Sequence, residues 1–176
     1  MPGAARCLMP IDDDFGWQHG YLTTVKQIVG GYLIAEAPIE EDLTHNTDLI
    51  VLKLDAVRIA CRIRRNQYLE RYADEFTIRS ARPSGASTEL AKVISGWGQY
   101  LFYGFAEVEG PELAAWMLGD LNIFRLHHMR ELSCGRMPGT EQHNGDGSST
   151  FRAYRIDEFP NEFVIARKWP ENILLF

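Results

Sequence analysis

VRIACRIRR, residues 57–65, sets Arg58, Ala60, Arg62 and Arg64 in alternation with Val57, Ile59, Cys61 and Ile63. A period of two marks a β-strand with one buried face and one wet face. The stretch EFTIRS, residues 75–80, repeats the pattern, with Phe76 and Ile78 to one side and Thr77 and Arg79 to the other. Two neighbouring strands of this kind present guanidinium groups on a common surface. Guanidinium forks suit phosphate and carboxylate. The alternative is a solvated face neutralised by the chain's own Asp and Glu.

The strands around these two decide the fold class. TDLIVLKL, residues 47–54, is read as a strand, and Asp55-Ala56 as a tight turn leading back into the arginine strand, so a β-hairpin is expected. Upstream, Tyr21, Leu22, Val25, Ile28, Val29 and Tyr32 recur at helical spacing, weakened by Gly30-Gly31. Downstream, Ser87 or Thr88 caps a second helix with Glu89 in its first turn. Its apolar face runs through Leu90, Val93, Ile94, Trp97 and Leu101 to about Tyr103, interrupted by Ser95-Gly-Trp-Gly. LAAWMLGDLNIFRL, residues 113–126, reads as one or two strands, and FRAYRI and FVIARKW as short closing strands. The order predicts an α/β (α+β) domain built on a mixed central β-sheet flanked by helices.

With 176 residues, 45% of them hydrophobic, the chain is sized for one core. A single domain over 1–176 is expected, with a loose tail at 1–15 and a flexible loop at 135–150. The net charge of −6 argues against a general polyanion-coating protein, so nucleic-acid binding must rest on a local patch. Three widely spaced cysteines (Cys7, Cys61, Cys134) form no CxxC or zinc pattern, which points to reduced thiols. No secretory signal and no bilayer-length apolar run is visible, so a cytoplasmic, non-membrane protein is expected.

Phosphate loops, dinucleotide fingerprints, nucleophile elbows and HExxH are absent from the sequence. His127-His128 is placed near a strand end, as a solvated or capping pair rather than a chelate. The four tryptophans fit either core packing or an interface, with Trp97 the clearest core candidate. What remains is a constellation. Asp48 opens a strand behind Glu36, Glu40, Glu41 and Asp42. Arg62 and Arg64 stand on the return strand, and Glu89, Lys92, Gln99 and Tyr100 lie on the following helix. Carboxylates with a nearby cation are what magnesium-assisted phosphodiester chemistry needs.

This order of elements resembles the PD-(D/E)XK nuclease superfamily, the restriction-endonuclease-like fold, over roughly Tyr21 to Gly104. Asp48 matches the family's lone Asp, Ala60-Cys-Arg62 falls where (D/E)-x-K belongs, and Gln99 through Tyr103 matches a Gln-x-x-x-Tyr helix motif in spacing. The resemblance implies a metal held by Asp48 with Glu89 or Glu36, and a phosphate met by Arg62 and Lys92. Ala60 and Arg62 depart from the pattern: one acid is missing unless Glu75 or Glu89 takes its place, and arginine is no base at neutral pH. Two expectations follow from the resemblance. One is a Mg2+-dependent DNA nuclease. The other is a degenerate member that binds DNA or another polyanion without cutting, through Arg58, Arg62, Arg64, Arg65, Arg79, Gln99 and Tyr100. An acidic protein is the alternative partner of that arginine face. Residues 75–105 also resemble a region of small phage or prophage proteins, and a third expectation, from the acidic balance and the four tryptophans, is a protein-interaction or inhibitory module with no nucleic-acid role.

Overall fold

The computed structural model describes residues 16–31, 34–36, 49–51, 57–145 and 147–170. The expected tail at 1–15, the acidic residues Glu40, Glu41, Asp42 and Asp48, and the turn at Asp55-Ala56 lie outside the described residues. The chain divides into two compact units, residues 1–52 with 109–112, and residues 53–108 with 113–176.

In the first unit, helix α1 (Leu22–Gly30) follows a helical turn at residues 16–19 and buries Val25 and Val29. Trp17 packs edge-on against Tyr21, with ring centroids 5.1 Å apart. The hydroxyl of Thr24 donates to the Pro111 carbonyl at 3.0 Å. Strand β1 (Ile34–Glu36) pairs antiparallel with β2 (Leu49–Val51). The β2 strand lies where it was expected, and among the described residues its ladder partner is β1 in place of the expected arginine strand.

The second unit holds the arginine strand and a mixed sheet. Here β3 (Ile59–Arg64) pairs in parallel with β5 (Tyr100–Ala106), β5 antiparallel with β6 (Leu113–Asp120), and β6 antiparallel with β9 (Val164–Lys168). Parallel neighbours need a long crossover. This one passes through a 3-10 turn (Asn66–Tyr68), α2 (Leu69–Tyr72), β4 (Glu75–Ala81) and α3 (Glu89–Ile94). Strand β4 belongs to a separate antiparallel sheet, in the order β4, β8 (Thr150–Arg155), β7 (Thr140–His143). The stretch 135–150, expected as a loop, thus carries a paired strand. Between β6 and β7 lies α4 (Leu121–Ser133).

One core fills the space that both sheets share. Leu101, Tyr103 and Phe105 from β5, Ala115 and Met117 from β6, Phe76 and Ile78 from β4, Tyr154 from β8, and Leu121 and Phe124 from α4 all belong to it. Phe76 is fully buried and lies within 5.3–6.4 Å, centroid to centroid, of Tyr103, Phe124, Tyr154, Phe159 and Phe163. Burying one such ring stabilises by about 1.5–3 kcal/mol, and each well-placed ring pair adds about 0.5–1.5 kcal/mol. The Phe163 ring sits so close over Gly119 that a Cβ there would lie 2.9 Å from it. The other face of the mixed sheet is buried as well: Ile63, Phe102, Trp116 and Leu118 have little exposure, and Phe102 stacks on Trp116 at 5.7 Å. Strands buried on both faces read as continuous apolar runs, which is how YLFYGFA escapes notice as a strand.

Residues 113–126, expected to contain one or two strands, hold one, and the chain switches to helix after Asp120. Its Oδ1 accepts from the backbone N–H of Asn122 (2.6 Å) and Ile123 (3.4 Å), an N-cap that starts α4. His127 and His128 therefore lie on a helix, not a strand end, and His128 is buried rather than solvated. Its ring packs between Phe124 and Tyr154, and its Nδ1 has no hydrogen-bond partner. Burial, then the charge of Arg152, then His127, push its pKa down. A group held neutral in the fold and free to protonate when unfolded stabilises fully above the ordinary histidine pKa of about 6.5. That stability drains away as pH falls below this value toward the folded pKa. The thermal midpoint is expected to decline as pH falls below about 6.5, and His128→Phe to flatten that decline. An equally steep decline in the variant would assign the dependence to other groups.

Candidate functional site

The arginine strand lies at the margin of the mixed sheet, and its orientation differs from expectation. In the β3–β5 register Ala60, Arg62 and Arg64 stand opposite Leu101, Tyr103 and Phe105. The even positions therefore share the core-facing side of the sheet, and Ala60 packs against the core itself. The arginine row is not a wet outer face. It runs along a seam where edge strand β3 of one sheet approaches edge strand β4 of the other, with apolar stems inside and guanidiniums at the rim.

Three anchoring points follow one another along that seam. At the inner end, the Arg64 guanidinium stacks over Tyr68 (4.6 Å) and Tyr72 (4.9 Å), and its Nη1 donates to the Tyr103 hydroxyl at 3.5 Å. Tyr103 is buried and shares a hydrogen bond with Thr77 at 3.3 Å. Thr77, expected on a wet face, is 2% exposed. Arg64 is thus enclosed by aromatic rings and serves to close the seam.

In the middle, Glu89 receives two donors on one oxygen. Arg62 Nη1 reaches its Oε2 at 3.4 Å, and the backbone N–H of Arg79 donates to the same atom at 3.2 Å. The side chains of Arg62 and Glu89 keep 26% and 30% exposure, so the pair is shielded but open to a ligand. Arg79 and Arg82 lie in electrostatic reach. Burial first, then Arg82 and Arg62, push the Arg79 pKa down, while Glu89 opposes them. A guanidinium stays charged regardless, so three cations share this place with one carboxylate. Arg82, just past the end of β4, is exposed and was not among the residues picked out from the sequence.

At the outer end, Arg58 lies over the Trp97 ring at 4.8 Å. Trp97 is 61% exposed, not core. The helix expected to run to Tyr103 stops at Ile94, so Gln99 and Tyr100 stand at the start of a strand, and Gln-x-x-x-Tyr is not helical. The stop is a Schellman motif: Trp97 N–H donates to the Lys92 carbonyl (3.0 Å) and Gly96 N–H to that of Val93 (3.0 Å), with Gly96 at φ +95°. Gln99 spends its side chain on the backbone, its Oε1 accepting from the Arg58 N–H at 2.7 Å.

Not every expected residue converges. Lys92 lies exposed on α3, and Arg65 follows β3 as a half-buried residue leading into the 3-10 turn. Tyr100 opens β5 on the face opposite the arginines. Asp48 lies outside the described residues, and of Glu36 only the backbone is described. Glu75 and Glu89 do not meet, because Glu89 binds at Arg79, four residues or about 13 Å along β4 from Glu75. Glu75 has one carboxylate oxygen buried without a partner. Burial and then Asp74 push its pKa up, against Arg64, Arg155 and Arg71. Among the described residues, no three His, Cys, Asp or Glu side chains cluster in a way that would hold a metal ion. Burial pushes the Cys61 thiol up, which leaves it neutral and unreactive. Among the described residues, no helix is long and apolar enough to cross a membrane.

No family model, curated protein or solved structure matches the chain.

The double role of Glu89 yields a prediction. Glu89→Gln keeps an acceptor for the Arg79 N–H and is expected to retain most of the stability in urea denaturation. Glu89→Ala strips the acceptor and is expected to cost about 1 kcal/mol. Equal losses in the two variants would mean that the ion pair, not the backbone bond, is the stabilising contact.

Proposed function

We propose that this protein binds nucleic acid without cutting it, through the guanidiniums of Arg62, Arg79 and Arg82, with Arg58 further along the same edge. The observation that carries this reading is the imbalance at Glu89: Arg79 lies in reach of both Arg62 and Arg82, and among the described residues Glu89 is the carboxylate that faces them, in a chain of net charge −6. Like charges held together in a partly desolvated place repel one another, and an incoming phosphate relieves that repulsion. Guanidinium forks match phosphate oxygens in pairs, which a lysine cluster does not do. The acidic remainder of the molecule confines the attraction to this edge, so that binding is local rather than a coating of the whole surface. Glu89 neutralises Arg62 only in part. Its second task at the Arg79 backbone keeps the carboxylate in place while the cations remain available.

The chemistry at this edge supports grasping better than hydrolysis. Among the described residues the carboxylate at these cations, Glu89, is already engaged by Arg62, and arginine does not take a proton at neutral pH. An acidic protein surface offers carboxylates to the same forks, but a group of cations at Glu89 with a further one at Arg58 suits successive phosphates of a backbone more closely.

Affinity for an oligonucleotide, measured with a chelator present, is expected to fall steeply with salt. Replacing Arg62 and Arg82 together by Gln should make that log–log slope shallower by about 1.5, because each lost phosphate contact removes about 0.7–0.9 from it. Binding indifferent to both salt and the double substitution would refute the proposal. Strand nicking that appears only with magnesium would favour the catalytic alternative instead.

A further inference from the structure

The Gly96-Trp97-Gly98 loop is built to hold an aromatic ring in solvent. Gly96 and Gly98 both adopt left-handed backbone, at φ +95° and +83°. A Cβ at Gly98 would lie 3.2 Å from the Leu121 side chain, so the chain passes close against α4 there. The loop is pinned on each side of the tryptophan. Before it stand the two bonds of the Schellman motif, and the Ser95 hydroxyl donates to the Lys92 carbonyl at 2.8 Å. After it, the backbone N–H of Gln99 donates to the Arg58 carbonyl at 2.9 Å. From α4, Arg125 donates to the carbonyls of Val93 (3.1 Å) and Gly98 (3.2 Å) and is itself steadied by Asn122 at 2.7 Å. A large apolar ring left 61% exposed on a loop fixed from three directions is a costly arrangement for packing and a favourable one for recognition.

Trp97 lies on the arginine edge. Arg58 covers one side of its ring, and Arg62 stands four residues further along the same strand, about 13 Å away. A flat ring beside spaced guanidiniums is the combination that unpaired nucleotides use. Bases have π-faces that stack on an aromatic side chain whatever their identity, while cations follow the backbone. In a duplex the base faces are stacked on one another and are not offered to a side chain. We infer that the ligand of this edge is single-stranded nucleic acid, with Trp97 stacking an unpaired base while Arg58 and Arg62 meet the flanking phosphates. The inference rests on the arginine edge as a nucleic-acid site and adds the strand state it selects.

The test compares oligothymidylate of about 16 nucleotides with the duplex it forms with oligoadenylate, using the full chain and fluorescence anisotropy at fixed salt. The wild type is expected to bind the single strand more tightly. Trp97→Ala is expected to weaken single-strand binding roughly tenfold or more and leave duplex binding unchanged, while Trp97→Phe keeps most of the affinity. The exposed position predicts an unaltered melting temperature in both variants, which checks that they fold. Arg62→Gln is expected to weaken both ligands. If Trp97→Ala binds both ligands as the wild type does, or if the duplex is preferred, the stacking inference fails and the arginine edge stands. If the wild type binds neither ligand, the nucleic-acid proposal fails with it.

Discussion

The Glu89 carboxylate is the contact on which the arginine edge depends. One oxygen holds the Arg62 guanidinium of β3 and the Arg79 backbone N–H of β4. These two strands are the edges of different sheets, and this shared acceptor ties the Arg62 guanidinium of one to the backbone of the other at Arg79. A lone carboxylate among several arginines draws them together without cancelling them. Its position in the first turn of α3, behind the Thr88 cap that accepts from the Ala91 N–H at 3.2 Å, sets it on a rigid element rather than a free loop.

The rest of the seam serves the same end with different chemistry. Tyr68, Tyr72 and Tyr103 hold Arg64 through ring faces and a hydroxyl, so that this cation closes the two-sheet core instead of leaving it open. Arg64 and Arg62 are half-buried and Arg58 is exposed, and the row ends on an exposed indole. Ring-enclosed and accessible guanidiniums thus follow one another along one short stretch of chain, and its strict alternation is what sets them on a common face.

Much of this was legible in the sequence, and the misses have physical causes. Alternation in 57–65 and 75–80 located β3 and β4 and singled out Arg62 and Arg79, because a period of two survives at a sheet margin. It could not show which face was inside: Ala60 gives no volume signal, and long arginine stems bury while their charges stay at the rim. The helix read through Trp97 and Leu101 failed because 90, 93, 94, 97 and 101 keep helical spacing by chance across a stop that Ser95-Gly-Trp-Gly announces. Strand β5, buried on both faces, has no alternation to contradict that spacing. Residues 121–133 were missed as a helix because Asp120 follows an apolar strand without a break, although its N-cap role was a readable signal. The β2–β3 hairpin failed because a tight turn in sequence says nothing about the ladder partner, and β3 finds a parallel one some forty residues on, at Tyr100.

We propose that Arg58, Arg62, Arg79 and Arg82 form one anion-binding edge, whereas Arg125, Arg136, Arg152 and Arg155 are engaged by carbonyl and carboxylate partners of their own. Arginine side-chain Nε–Hε resonances followed by NMR during titration with an oligothymidylate test it most directly. Shifts confined to these four, with those of Arg125, Arg136, Arg152 and Arg155 unmoved, are predicted. Uniform small shifts across all arginines, or shifts centred on the α4 and β8 residues, would contradict it.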